Sequence, residues 1–331
     1  MTPADPQTLR ASLVVEALPQ HEPLVIATRG EAVESIHYGS AVLLDPAGSI
    51  AASRGDAQAA FYPRSALKPL FAVGMLRAGL QLDDQQLALA SASHSGSPRH
   101  LQVAESTLAA AGLDHTALRN STDLPYGVAE RQDYLAAGGK ATALAQNCSG
   151  KHAALAALCE LKGWDTANYL HDERLLQLLQ DTVEDLSGEQ ISGVSTDGCG
   201  TPVYRMTLAG LARAFGKLAS AVQGTAEAHV AAAMAGYPEL VAGVGRDVTA
   251  LMRAVPGSVA KDGFEGIQAV GLPDGSALAV KIADGSDRAR MPITAKLLAE
   301  HLGSEAALAL EPLATSPAFG GGAPVGLLAA L

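Results

Sequence analysis

Residues 61–76 read FYPRSALKPLFAVGML, and two kinds of text meet in them. The first half sets the hydroxyl of Ser65 and the amine of Lys68 three residues apart. The second half carries Leu67, Leu70, Phe71 and Met75 at the spacing of a helix face entering a core, with Gly79 as its stop. Residues i and i+3 share a helix face, so Ser65 Oγ and Lys68 Nζ are expected within hydrogen-bond reach of each other. A serine alone is a poor nucleophile, whereas a lysine drawn out of water beside other cations gives up its proton and serves as the base. Pro69 complicates the helix because a proline past the first turn removes a backbone bond. Either the helix begins near Lys68, or a carbonyl near Ser65 is left without a donor.

Working outward from this stretch, the residues before it read as strands. LVIATRG begins at Leu24, and ESIHYGSAVLLDPAGSIAAS follows, with Asp45-Pro46-Ala47-Gly48 as a turn between two apolar runs. That pattern predicts an antiparallel hairpin. After the helix, residues from about 80 to 257 are mostly helical in pattern, with Leu101 to Ala111, Asp172 to Leu186, Leu208 to Val222, Glu227 to Met234 and Asp247 to Ala254 as helices. Asp114 to Gly139 reads as a long polar connection. The last third returns to strands, since FEGIQAVGLPDGSALAVKI holds Pro273-Asp274-Gly275 between alternating apolar runs. A helix from about Arg288 to Leu302 and a glycine-rich tail, FGGGAPVGLL, complete the chain, the tail supplying a last edge strand. Neither terminal set of strands can bury itself alone, so both are expected in one antiparallel sheet. The fold class is therefore α/β, an antiparallel sheet of N- and C-terminal strands flanked by helices, with a mainly helical middle. Residues 1–20 are expected to form a loose arm and 21–331 a single domain.

Composition narrows the function. The formal net charge is −11 in 331 residues, the pI is near 5.2, and no run of Lys or Arg appears, which argues against a nucleic-acid partner. No apolar run approaches the ~18 residues of a membrane helix, and Thr2 to Gln20 lacks the pattern of a signal peptide. A cytoplasmic protein is expected. In that compartment Cys148, Cys159 and Cys199 read as free thiols or metal ligands before they read as disulfides.

Three loops carry further chemistry. In Asn147-Cys148-Ser149-Gly150-Lys151-His152 a thiol and an amine stand three apart where a helix starts. A phosphate loop would need glycine at Ala145 and Ser or Thr at His152. Two readings remain: a thiolate at Cys148, favoured by Lys151 and the helix end, or an ordinary helix start with a small buried cysteine. Thr196-Asp197-Gly198-Cys199-Gly200-Thr201-Pro202 is a tight glycine-bounded turn, and Cys199 is a candidate second soft ligand beside Cys148 for Zn²⁺. Ser91 to His100 offers Ser93, Ser95 and Ser97 with His94 and His100, but no local carboxylate to orient a histidine as a triad requires.

The runs RSALKP, ASHSGSPRH, NCSGKH, TDGC and GxGRD with MRA, in this order over roughly Arg29 to Ile282, resemble the thermolabile L-asparaginase family, also called asparaginase II or the Rhizobium etli type. The resemblance implies a fold related to serine β-lactamases and penicillin-binding proteins, and hydrolysis of L-asparagine to L-aspartate and ammonia. It implies two serine-lysine pairs, Ser65 with Lys68 and Ser93 with Lys261, the last opening a Lys-Asp-Gly tripeptide similar to the Lys-Thr-Gly of penicillin-recognising enzymes. It further implies Zn²⁺ on Cys148, Lys151 and Cys199, pocket positions at Arg64, His152 and Asp197, no organic cofactor, and a homodimer. Two alternatives stand beside it. A penicillin-recognising peptidase or β-lactamase shares Ser-x-x-Lys and Lys-x-Gly, but no Ser-x-Asn stands in the middle region. A non-catalytic amino-acid-binding protein has no need of two activated serines.

Overall fold

A computed structural model describes residues 18–331. Most of the expected N-terminal arm, residues 1–17, lies outside the described residues. Two sheets organise the rest. The larger contains β1 (Glu22–Arg29), β2 (Ala32–Leu44), β3 (Ile50–Arg54), β7 (Val259–Gly263), β8 (Ile267–Gly271), β9 (Ala277–Ile282), β10 (Thr315–Gly320) and β11 (Ala323–Ala330). Its order is β10-β11-β1-β2-β9-β8-β7, with β3 paired to β2. The two ends of the chain meet at β2 and β9, antiparallel with Ala41 opposite Val280. Turn chemistry fixes the hairpins: the Asp45 carboxylate accepts from the Ala47 and Ser49 N–H groups between β2 and β3, as an Asx turn does.

Strands β7 and β8 are buried along their whole length and β9 nearly so, the sign of a sheet covered on both faces. Helices Leu208–Ala219 and Asp287–Leu302 supply the cover. Helix Ser149–Lys162 is buried from Ser149 through Cys159, which its alanine-rich sequence permits because small side chains let neighbouring helices approach closely. At Gly150 an added Cβ would meet the Leu89 carbonyl at 2.5 Å. Among the described residues no helix is long and apolar enough to cross a membrane.

Pro69 is accommodated by the first of the two routes. A 3-10 turn over Arg64–Leu67 precedes an α-helix over Lys68–Arg77, which places Pro69 in the first helical turn where no N–H is required. Three expectations need correction. The connection from 114 to 139 contains a helix, Val128–Ala136, which buries no residue and so shows no apolar stripe. The helical middle holds a second sheet, in which β4 (Ala60–Phe61), β6 (Pro202–Thr207) and β5 (Gly193–Thr196) pair in that order. By contrast the hairpin expected around Pro273 is present, β8 and β9 pairing antiparallel across it, and a further tight turn from Phe264 to Gly266 joins β7 to β8. Finally the C-terminal tail is a hairpin in which β11 lies inside the sheet between β10 and β1, leaving β10 at the edge.

Candidate active site

The 3-10 turn Arg64–Leu67 sits against β7 because Gly263 has no side chain. A Cβ there would stand 2.2 Å from the Pro63 carbonyl. This contact brings the Ser65 turn to the strand that carries Lys261. Arg64 itself adopts a left-handed backbone, φ 55°, a conformation that costs a non-glycine residue on the order of 1 kcal/mol. Its side chain is held from two sides. Nε and Nη2 reach Asp197 Oδ1 at 2.8 and 2.7 Å, and the guanidinium lies 5.5 Å from the centre of the Phe264 ring.

Lys68 does not turn towards Ser65 as helix spacing alone suggested. Its Nζ donates to the Ala92 carbonyl at 2.6 Å and to Ser93 Oγ at 3.0 Å. Lys261 reaches the same hydroxyl from β7, donating to Ser93 Oγ at 2.9 Å, and gives its other hydrogen bonds to the Asp262 carbonyl and carboxylate. Ser93 is thus wedged between two amines whose residues are buried to 1% exposure or less. Burial, opposed by Asp262 and aided by Lys68, brings Lys261 down to about 8. Its neighbour Asp262 is held well below the usual carboxylate range by Lys261, Arg290 and Arg246, which overcome its burial.

The loop that carries Ser93 is pinned on both sides. Its N–H donates to the Val241 carbonyl, that of Ser95 to Ala242, and that of His94 to Asn147. His100 takes no part in a triad. Its Nδ1 receives the Ser97 N–H and its Nε2 lies 2.9 Å from the Glu239 carbonyl, so it caps the Pro98–Ala110 helix. His94 is fully buried, with Nε2 against Ser149 Oγ at 2.9 Å.

A second cluster lies where helix Ser149–Lys162 begins. Lys151 Nζ is 3.1 Å from Cys199 Sγ and 2.6 Å from Thr201 Oγ1. The neighbouring Cys148 thiol, then Lys151 and His152, hold Cys199 well below the usual thiol range, while that neighbour and burial push Cys148 up. Of the two readings left open for Cys148, a thiolate or a small buried cysteine, the geometry favours the second, because Lys151 reaches the Cys199 sulfur instead. His152 shares a 2.8 Å hydrogen bond with Tyr169 through Nδ1, and burial lowers it to about 4. Its Nε2 is buried without a hydrogen-bond partner among the described residues. Among those residues no group of three or more His, Cys, Asp or Glu side chains is set to hold a metal ion. The two cysteine sulfurs are donors of the type Zn²⁺ takes, whereas Lys151, which here donates to Cys199, would fit as a third donor only after losing its proton.

Sequence reading missed Asn120, Gln146 and Ser121, which tie the site loops together. Gln146 Oε1 accepts from Asn120 Nδ2 and from the Cys148 N–H, each at 3.0 Å, and Ser121 Oγ donates to the Gly198 carbonyl. No motif announces amides and hydroxyls used this way. Arg246, in the GxGRD run, gained no role from sequence either, yet it bonds Asp262 Oδ2 at 3.1 Å.

No curated protein matches the chain. Among solved structures, a β-lactamase from Mycobacterium bovis is 18% identical, with 80% of this chain covering 94% of that one at a TM-score of 0.43. Mglu in its native form is 14% identical, 80% of this chain covering 61% of it at 0.46. EstCE1, a hydrolase with promiscuous acyltransferase activity, is 14% identical, 80% covering 90% at 0.38. The family profile of L-asparaginase II matches residues 25–330, from β1 to the end of β11. The chain belongs to the L-asparaginase II family.

Proposed function

We propose that the protein hydrolyses the side-chain amide of L-asparagine to L-aspartate and ammonia, through an ester on Ser65. The observation that carries this reading is the buried run Lys68 Nζ, Ser93 Oγ, Lys261 Nζ, at 3.0 and 2.9 Å. A hydroxyl accepts two hydrogen bonds and donates one. Both acceptor positions of Ser93 are taken by lysine N–H groups, so its proton is the one left to give. Lys261 uses three hydrogens, on Ser93 and on Asp262 twice, as an ammonium would. Lys68 uses two, on Ala92 and Ser93, and is the lysine that this reading assigns as the base.

Ser65 is favoured as nucleophile over Ser93 for a backbone reason. The Ser93 N–H is spent on Val241, whereas the Ser65 N–H has no backbone partner among the described residues and is free to hold an oxyanion. Such a donor supplies on the order of 3 kcal/mol. In the reaction Lys68 takes the Ser65 proton and Oγ bonds to the amide carbon. As the C–N bond breaks, the proton passes from Lys68 through Ser93 to the leaving nitrogen, and ammonia departs. Water then attacks the ester and gives a proton to Lys68, and as the bond between Ser65 Oγ and the acyl carbon breaks Lys68 returns that proton to Oγ, releasing aspartate and restoring Ser65. Lys261 stabilises the Ser93 oxygen throughout.

The Arg64–Asp197 pair offers one charge of each sign, suited to the carboxylate and ammonium of an amino acid. Cys148, Cys199 and Lys151 would hold Zn²⁺, which when bound supplies a positive charge and anchors the Asp197 loop to the Ser149–Lys162 helix.

Ammonia release from asparagine and from glutamine tests the reading. Ser65→Ala should lose at least about a thousandfold in kcat and form no acyl adduct by intact mass, the scale of losing a nucleophile. Ser93→Ala should slow turnover while still allowing the adduct. An adduct on Ser93, nitrocefin cleavage without ammonia release, or asparagine binding without turnover would each replace this reading.

A further inference from the structure

The turn Gly243-Val244-Gly245 leads into helix Asp247–Ala254 through Arg246, and the chain from Val241 to Arg246 touches Ser93 and the Asp262 carboxylate that Lys261 binds. Val241 and Ala242 accept the N–H groups of Ser93 and Ser95. Four residues on, Arg246 Nη2 binds Asp262 Oδ2 at 3.1 Å, while Lys261 holds Oδ1 of the same carboxylate. The guanidinium is set in place by the Tyr126 ring, 4.8 Å below it. The next residue, Asp247, is clamped by the buried Arg290 at 2.8 Å, and Arg290 also binds Asp287 and Gln268.

A carboxylate beside a single buried lysine forms a closed ion pair that takes up the amine's hydrogen bonds. Here the carboxylate is divided between two cations. We propose that Arg246 is a positioning residue for Lys261: by occupying the second oxygen of Asp262 it limits the carboxylate to one hydrogen bond on the amine, so that Lys261 keeps another for Ser93. The inference rests on the Ser93–Lys261 relay proposed above.

The charged groups that face Lys261 are Lys68 from its helix, Asp262 from β7 and Arg246 from the turn, with Arg290 facing Asp262 from behind. Removing Arg246 takes away a positive charge and leaves Asp262 Oδ2 free for Lys261; both changes hold the proton on Lys261 more firmly. Removing the Asp262 charge does the opposite.

Titration of ¹³Cε-lysine resonances by NMR tests this without substrate, the Lys261 signal being identified by its loss in Lys261→Met. Arg246→Gln should raise the Lys261 pKa by about half a unit or more, and Asp262→Asn should lower it by a comparable amount. Arg246→Lys should return it near the wild-type value, yet leave kcat for asparagine about threefold down with KM unchanged, because an ammonium lacks the planar fork. If Lys261 does not move, or moves the same way in both charge-removing variants, the positioning role is wrong. Should Arg246→Gln fail to fold, the kcat of Arg246→Lys decides, and a wild-type value overturns the role. Opposite shifts in an enzyme that releases no ammonia would leave the positioning role standing and remove the asparagine reading instead.

Discussion

Ser65 and Lys68 show what residue spacing can and cannot tell. The i, i+3 relation puts both on one turn, but the lysine side chain is long enough to choose among several acceptors. It takes Ala92 and Ser93, which are distant in sequence and adjacent in space. The same limit applies at the thiols. Spacing within NCSGK left Cys148 either a thiolate beside Lys151 or a small buried cysteine, whereas Lys151 reaches across to Cys199 on another loop. If Zn²⁺ binds this set, Cys199→Ser should leave protein without zinc by elemental analysis after dialysis and raise KM for asparagine more than it lowers kcat. The sulfur is bonded to Lys151 and Thr201 and to none of the Ser93 relay. A fall in kcat at constant KM would instead put the cluster in the chemistry, and unchanged kinetics with no zinc in the wild type would discard it.

At the scale of elements, the closest approach in the site is between a turn and a strand. Gly263 lets the Pro63 carbonyl sit where a Cβ would be, so Gly263→Ala must push the Arg64–Leu67 turn away from β7 or displace the strand. Since Ile267 side-chain atoms are also within 3.1 to 3.3 Å of that point, neither neighbour has room to give. The expected result is a loss of about 1 to 3 kcal/mol in stability, the range for overpacking a core, with kcat falling at least tenfold because Ser65 moves relative to Lys68 and Ser93. Chemical denaturation and steady-state kinetics measure the two effects, and an unchanged kcat would show that the turn is not fixed by this contact. The elements themselves were legible where local chemistry is strong. Asp45 to Gly48 declared a turn, and Pro69 narrowed the helix start to two routes between which only the 3-10 turn over Arg64–Leu67 decides. Helix Val128–Ala136 was hidden by its polar surface, and β4, β5 and β6 were hidden because two to six residues carry too little periodicity to be told from a loop.

On the scale of the whole molecule, the meeting of the chain ends in one sheet was predictable, because terminal strands need partners to bury their faces. The strand order was not, since nothing local states that β11 enters between β10 and β1. Burial has a further consequence for the molecule as a whole. His94 and His100 stack with ring centres 5.1 Å apart, and desolvation holds His94 well below its ordinary value and lowers His100. Both therefore take up a proton less readily in the folded state than in the unfolded chain, where each titrates near 6.5. Below that pH the unfolded state binds more protons, so the stability these residues contribute is complete above about 6.5 and is lost as pH falls towards their lowered folded values. The loss approaches about 1.4 kcal/mol per pH unit for each histidine that must stay uncharged. The thermal midpoint should therefore drop between pH 6.5 and 5, by about 1 to 2 °C for each kcal/mol in a protein of 331 residues. Replacing His94 by Gln, a polar residue that does not titrate, should flatten that slope whatever it does to the midpoint at pH 7.5. A midpoint constant down to pH 5 in the wild type would mean that the two rings reach water, and that the loop carrying Ser93 is looser than its three backbone hydrogen bonds imply.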